Sequence, residues 1–181
     1  MARVLFSEEE RSIEYILSWY EDQIVAIVDL RNKIIEAVIN GKSNFKINPK
    51  FVTLTLDEIE RYFDDSEDEL EHLVCFYIIS ATEALLRTDY FKKVYKKDKS
   101  DIGKAFRDKY KVSGEKVSLE EDIIEVWKTT DKKRLFSDFL GLLKYRHWLA
   151  HGRYWKPRLG REYSFDVTYQ ISESIFDVIT N

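Results

Sequence analysis

The chain has 181 residues, 44% of them apolar and 34% charged, with a formal net charge of −4. That length suits one domain with a real core. With 6 Gly and 2 Pro the composition argues for long regular elements and against an all-β architecture. One cysteine, Cys75, excludes an intrachain disulfide and a cysteine-rich zinc site. No apolar run approaches the roughly 18–20 residues of a membrane span, and the early acidic stretch Glu8–Glu10 does not read as a signal peptide. A cytoplasmic protein that does not enter a membrane is the expectation.

The first predicted element is a long helix. Ser7-x-x-Glu10 has the form of a capping box. Ile13, Ile16, Leu17, Tyr20, Ile24, Ile27, Val28, Arg31, Ile34, Ile35 and Val38 follow at helical spacing, with Gly41 as the stop. About 34 residues at 1.5 Å each give roughly 50 Å. Lys42 to Pro49 reads as a polar connection, and Phe51–Leu54 alternates like a short strand. Thr55-x-x-Glu58 predicts a short helix to about Phe63, and Ser66-x-x-Glu69 a second, longer helix to about Lys97.

Asp101 to Lys111 reads as a short basic helix, followed by a turn around Gly114. Ser118-x-x-Glu121 then caps a short helix carrying Ile123, Ile124 and Trp127. Thr130 or Asp131 is expected to cap the next helix, whose apolar side is Leu135, Phe136, Phe139, Leu142, Leu143 and Leu149, and which ends at His151-Gly152. Arg153 to Arg161 is a basic, aromatic loop. The last helix is expected over Asp166–Ile179, with a strand at Phe165–Tyr169 as the alternative. The predicted fold is all-α: an up-and-down bundle of four to five main helices with short additional ones, forming a single domain over residues 1–181.

Charge is segregated along this scaffold. Asp57 to Glu71 holds nine acidic residues and one Arg, whereas Lys128 to Arg161 holds ten basic residues against Asp131 and Asp138. A second basic block, Lys92 to Lys111, has nine basic residues against three Asp. Such runs are commonly solvated helix faces. The block from Lys128, however, surrounds the densest concentration of functional side chains, which makes a polyanionic partner plausible.

That concentration is Arg146-His147-Trp148-Leu149-Ala150-His151-Gly152-Arg153-Tyr154-Trp155, which holds two of the three histidines in the chain. On a helix, Arg146 and His151 diverge by about 140°, whereas His147 and His151 share a stripe. One copy therefore presents an edge and not a closed pocket; a second copy across a twofold axis could converge both. A metal pair at His147 and His151 would need a distant third ligand such as His72 or Glu83, and there is no His-Glu-x-x-His pattern.

An Arg, a polar residue, three further residues and a His at the end of a late helix resembles the HEPN superfamily (higher eukaryotes and prokaryotes nucleotide-binding). Arg146, His147 and His151 fit that motif residue by residue; the likeness covers about ten residues in motif and most of the chain in architecture. The resemblance implies an endoribonuclease that needs no metal and no cofactor, with a composite site in a homodimer, in toxin–antitoxin or phage-defence biology. His151 would act as general base or acid on RNA. Arg146 would neutralise charge developing on phosphorus, and His147 would bind phosphate, position His151 or serve as the second acid or base. Arg153, Tyr154, Trp155, Lys156, Arg158 and Arg161 would grip RNA, since aromatic platforms beside cations stack unpaired bases. Glu83 could orient Arg146 or a His, or pair with Arg87 at i+4. One toxin branch of the family carries a modifiable Tyr two residues after the motif His. Arg153 stands at that position here and Tyr154 one further on, which puts modification by an antitoxin enzyme in doubt. The alternatives are a non-catalytic RNA- or nucleotide-binding module and a helical dimerisation or adaptor protein.

Overall fold

The structure, a computed structural model, describes residues 4–7, 9–40 and 48–181. The fold is all-α, with no strand among the described residues. Its helices are α1 (Ile13–Asn40), α2 (Leu56–Tyr95), α3 (Asp101–Ser113), the single turn α4 (Glu125–Trp127), α5 (Lys133–Ala150) and α6 (Phe165–Thr180). Short 3₁₀ turns cover Pro49–Phe51 and Gly114–Lys116, and a π-helical segment, Leu119–Ile124, leads into α4. Contacts sort the chain into two compact units: Glu14–Val74, and Cys75–Asn181 together with the N-terminal residues through Ile13.

Several expected boundaries move, each for a visible reason. α1 begins at Ile13 and not at Ser7. The Glu10 carboxylate accepts a hydrogen bond from Thr88 Oγ1 at 2.6 Å, and the Ser7 hydroxyl accepts only a long bond from the Glu9 amide, 3.4 Å. The reciprocal box is therefore not closed. The expected stop at Gly41, and most of the connection from Lys42, lie outside the described residues. Phe51–Leu54 is no strand. Asn48 caps a 3₁₀ turn there by accepting from the Lys50 amide at 3.1 Å, and Pro49 at its start favours a helical turn over a ladder.

The two helices expected from Thr55 to Lys97 are one. Thr55 and Glu58 do form the capping box, the Thr55 amide donating to Glu58 Oε2 at 2.8 Å and the Glu58 amide to Thr55 Oγ1 at 3.3 Å. Ser66, in contrast, caps nothing: its hydroxyl donates back to the Tyr62 carbonyl at 2.7 Å, as mid-helix Ser does. No Gly or Pro falls between Leu56 and Tyr95, so nothing interrupts the helix.

The unit Glu14–Val74 packs Ile34, Phe51, Ile59 and Phe63 together, with Phe51 stacked on Phe63 at 5.8 Å. In the larger unit, the buried faces of α2, α3, α5 and α6 meet around Tyr90, Phe106, Trp127, Phe136 and Phe139. Trp127 stacks on Phe136 with ring centroids 5.0 Å apart. Ser118 caps the π-helical segment through the Glu121 amide, as its spacing predicts, at 3.1 Å. α5 starts later than expected, with Lys132 at its N-cap and no side-chain cap. Thr130 Oγ1 instead accepts from the Lys132 amide at 3.1 Å and donates to the Trp127 carbonyl at 2.7 Å. Phe165–Tyr169 is the first turn of α6, not a strand, because Ser164 caps it through the Val167 amide at 3.4 Å.

Candidate functional site at the end of helix α5

The close of α5 follows directly from its sequence. The Gly152 amide donates to the Leu149 carbonyl and the Arg153 amide to the Trp148 carbonyl, both at 3.2 Å, the pair of bonds that defines a Schellman motif. Gly152 takes φ +76° and Arg153, unusually for a non-glycine, φ +57°. Two successive left-handed residues reverse the chain and bring Trp155 back over the last turn of the helix. Trp148 Nε1 fixes that return by donating to the Trp155 carbonyl at 2.7 Å.

The two histidines share one stripe, as i,i+4 spacing requires. Their ring centroids lie 4.3 Å apart, and the Trp155 ring stands 6.1 Å from His147 and 6.3 Å from His151. Both histidines are exposed.

Arg146 points elsewhere. Its Nη2 donates to Glu83 Oε2 on α2 at 2.7 Å, and its guanidinium lies 6.0 Å from the centre of the Phe76 ring. The other Glu83 oxygen accepts from Arg87 Nε at 3.0 Å. One carboxylate thus holds two guanidinium groups, and Arg87 reaches on to the Val117 carbonyl at 3.5 Å. The Nε of Arg146 is buried without a hydrogen-bond partner, so the fork retains unused donor capacity.

Around these groups opens a cleft of about 890 Å³, the size of an ordinary ligand site. α2 contributes Glu83 and Arg87; α5 contributes Leu143, Lys144, Arg146, His147 and Trp148. The π-helical segment supplies Leu119 to Glu121 together with its N-cap Ser118, and the loop after α5 supplies Trp155 to Leu159. Five of the lining residues are basic (Arg87, Lys144, Arg146, Lys156 and Arg158) and three acidic (Glu83, Glu120 and Glu121). Arg87 and Arg146 are both committed to Glu83, which leaves Lys144, Lys156 and Arg158 against Glu120 and Glu121.

Among the residues singled out from sequence, Arg146, His147, Trp155, Lys156, Arg158 and Glu83 line this cleft, whereas His151, Arg153, Tyr154 and Arg161 do not. Tyr154 is 83% exposed, edge-on to Trp155 at 4.6 Å, and Arg161 lies over the ring of Tyr163 at 4.9 Å. His151, the C-cap of α5, thus sits at the edge of the cleft, its ring against that of His147, which lines it. Sequence reasoning missed Arg87 as a wall residue, having read it only as an i+4 partner of Glu83. It also missed Lys144 and Ser118–Glu121 as walls, the latter having shown only a capping signal. Among the described residues no group of three or more His, Cys, Asp or Glu is placed to hold a metal ion, and no helix is long and apolar enough to cross a membrane. Comparisons with protein-family models, with curated protein sequences and with solved structures give no match.

Proposed function

We propose that the chain is a metal-independent endoribonuclease of HEPN type, working as a homodimer on RNA in toxin–antitoxin or phage-defence biology. One observation carries the reading. A guanidinium and a histidine of the Arg-His-x-x-x-His motif, Arg146 and His147, line a cleft whose other cations, Arg87, Lys144, Lys156 and Arg158, sit beside two tryptophans. Cations grip phosphates and Trp155 offers a face for an unpaired base, while Trp148 is stacked on Tyr145 against the core.

In the proposed reaction a histidine, His151, takes the proton of a ribose 2′-hydroxyl. The 2′-oxygen bonds to phosphorus, the P–O5′ bond breaks, and a second acid returns a proton to the 5′-oxygen. The products are a 2′,3′-cyclic phosphate and a 5′-hydroxyl. Arg146 meets the charge that builds on the non-bridging oxygens. Ideal helical spacing sets Arg146 and His151 about 140° apart, so in this reading the complete set draws His151 from the second copy. An antitoxin protein is the natural inhibitor of such an enzyme. RNA incubated with the untagged protein in EDTA should be cut, and Arg146→Ala or His151→Ala should each abolish cutting. Cleavage that survives both substitutions removes the proposal.

The double pairing of Glu83 favours one alternative, a non-catalytic module that binds RNA or a nucleotide in the same cleft. It predicts saturable, salt-sensitive binding with no product formed.

A further inference from the structure

We infer that His147 and His151 together form a two-imidazole site for a zinc-class dication, one that switches the chain off and takes no part in its chemistry. An ion about 2.1 Å from one nitrogen of each ring lies roughly 3.2 Å from each ring centroid, so two rings sharing it at about 90–110° have centroids about 4.5–5.2 Å apart. The observed separation is 4.3 Å. A slight opening of the side-chain torsions, free to occur because both rings are exposed, brings them into register. The rings are inclined at 56°, so they are not stacked face to face and their edges can turn toward a common point. Imidazole is the ligand that zinc, copper and nickel prefer over magnesium or calcium.

No third side chain completes the shell among the described residues, so this is not the site of a resident metal, which needs at least three protein ligands, but a weaker two-imidazole chelate. Water fills the remaining positions, which makes the ion exchangeable, unlike a structural zinc held by four protein ligands. The chemical consequence rests on the nuclease reading above. The imidazole lone pair that would take the 2′-hydroxyl proton is the lone pair that binds the metal. An occupied pair therefore cannot act as base, and zinc and turnover exclude one another.

Isothermal titration of the untagged full chain with Zn²⁺ tests the site without reference to activity. The expected result is saturable binding of no more than one zinc per chain. Either His147→Ala or His151→Ala should weaken it more than about 100-fold, since even losing an outer-shell partner costs 10–100-fold. His72→Ala, which removes the third histidine, should leave binding unchanged. His147→Gln, a polar replacement at an exposed position, gives the same answer should the alanine variant fold poorly. No saturable binding, binding retained in the His147 and His151 variants, or binding lost with His72 overturns the site. In a parallel cleavage assay, saturating Zn²⁺ should suppress cutting at least tenfold and EDTA should restore it. Cutting at full rate with zinc bound overturns the inhibitory role. A chain that binds zinc as described but cuts no RNA keeps the site and removes the nuclease reading.

Discussion

The two halves of α5 do opposite work. From Phe136 to Leu143 the helix drives four side chains, Phe136, Phe139, Leu142 and Leu143, into the core. From Lys144 on it still packs Tyr145, Trp148 and Leu149 on the core, but between them it presents Arg146, His147 and then His151 to a cleft or to solvent. The helix is continuous, so the first half fixes the position of the second. A rigid apolar anchor lets a polar last turn hold charges that have little packing of their own.

Breaking the anchor should have the largest effect. Phe136 is fully buried and stacked on Trp127, so Phe136→Ala should cost about 3–5 kcal/mol, read as a lower urea midpoint with an unchanged m-value. A smaller insult tests the close approach of Tyr163 to α5. A Cβ on Gly141 would stand 1.8 Å from the Tyr163 hydroxyl oxygen, and Tyr163 is itself buried and stacked on Tyr145 at 5.6 Å. Gly141→Ala should cost about 1–3 kcal/mol by overpacking; a neutral result in chemical denaturation would show that Tyr163 moves aside freely.

At the polar end the cost is conformational. A Cβ on Gly152 meets nothing within 4 Å, but φ is +76°. Gly152→Ala should therefore cost about 1–2 kcal/mol from backbone strain alone. It should also loosen the loop that carries Trp155, visible as a change in the tryptophan fluorescence. Gly152→Asn, which tolerates left-handed backbone better, should cost less.

The contrast extends to two carboxylates of α2. Glu83, on the cleft, is held by two guanidinium groups, whereas Asp89, buried, is served by Lys93 through one oxygen and leaves the other unpartnered. Burial pushes the Asp89 carboxyl above its ordinary 3.8, and the hydrogen bond and charge of Lys93 only partly oppose that. The folded state thus holds this proton to higher pH than the unfolded chain. The stability it contributes is fully present below 3.8 and is lost as pH rises through the raised folded value. Tm of the wild type minus Tm of Asp89→Asn should therefore decline as pH rises through the carboxylate range. A difference that rises over that range contradicts the assignment.

Fold class was legible because helical spacing and scarce Gly and Pro leave little else. Boundaries were less so, since a capping box is a local pattern whose partners can be taken elsewhere. Thr88, 78 residues away, takes the Glu10 carboxylate, and the Ser66 hydroxyl turns to its own helix. The end of α5 was readable in His151-Gly152 because one residue there must be left-handed. The cleft was only half readable. Arg146, His147 and Lys156 are neighbours in sequence and Glu83 stood out as a partner for Arg146 or Arg87, which it meets at once, but Arg87 as a wall and Ser118–Glu121 join them through packing that no local pattern records.

The central claim is metal-free RNA cleavage by Arg146 and His151, and one measurement addresses it most directly. An RNA oligonucleotide and its 2′-deoxy counterpart are incubated in EDTA with the wild type, Arg146→Ala and His151→Ala, and products are followed at single turnover. The account predicts that wild type cuts RNA to a 2′,3′-cyclic phosphate, leaves the deoxy strand intact, and loses about 10²–10³-fold or more in rate with either substitution. Cutting of the deoxy strand at a comparable rate, or RNA cleavage undiminished in both variants, would contradict it.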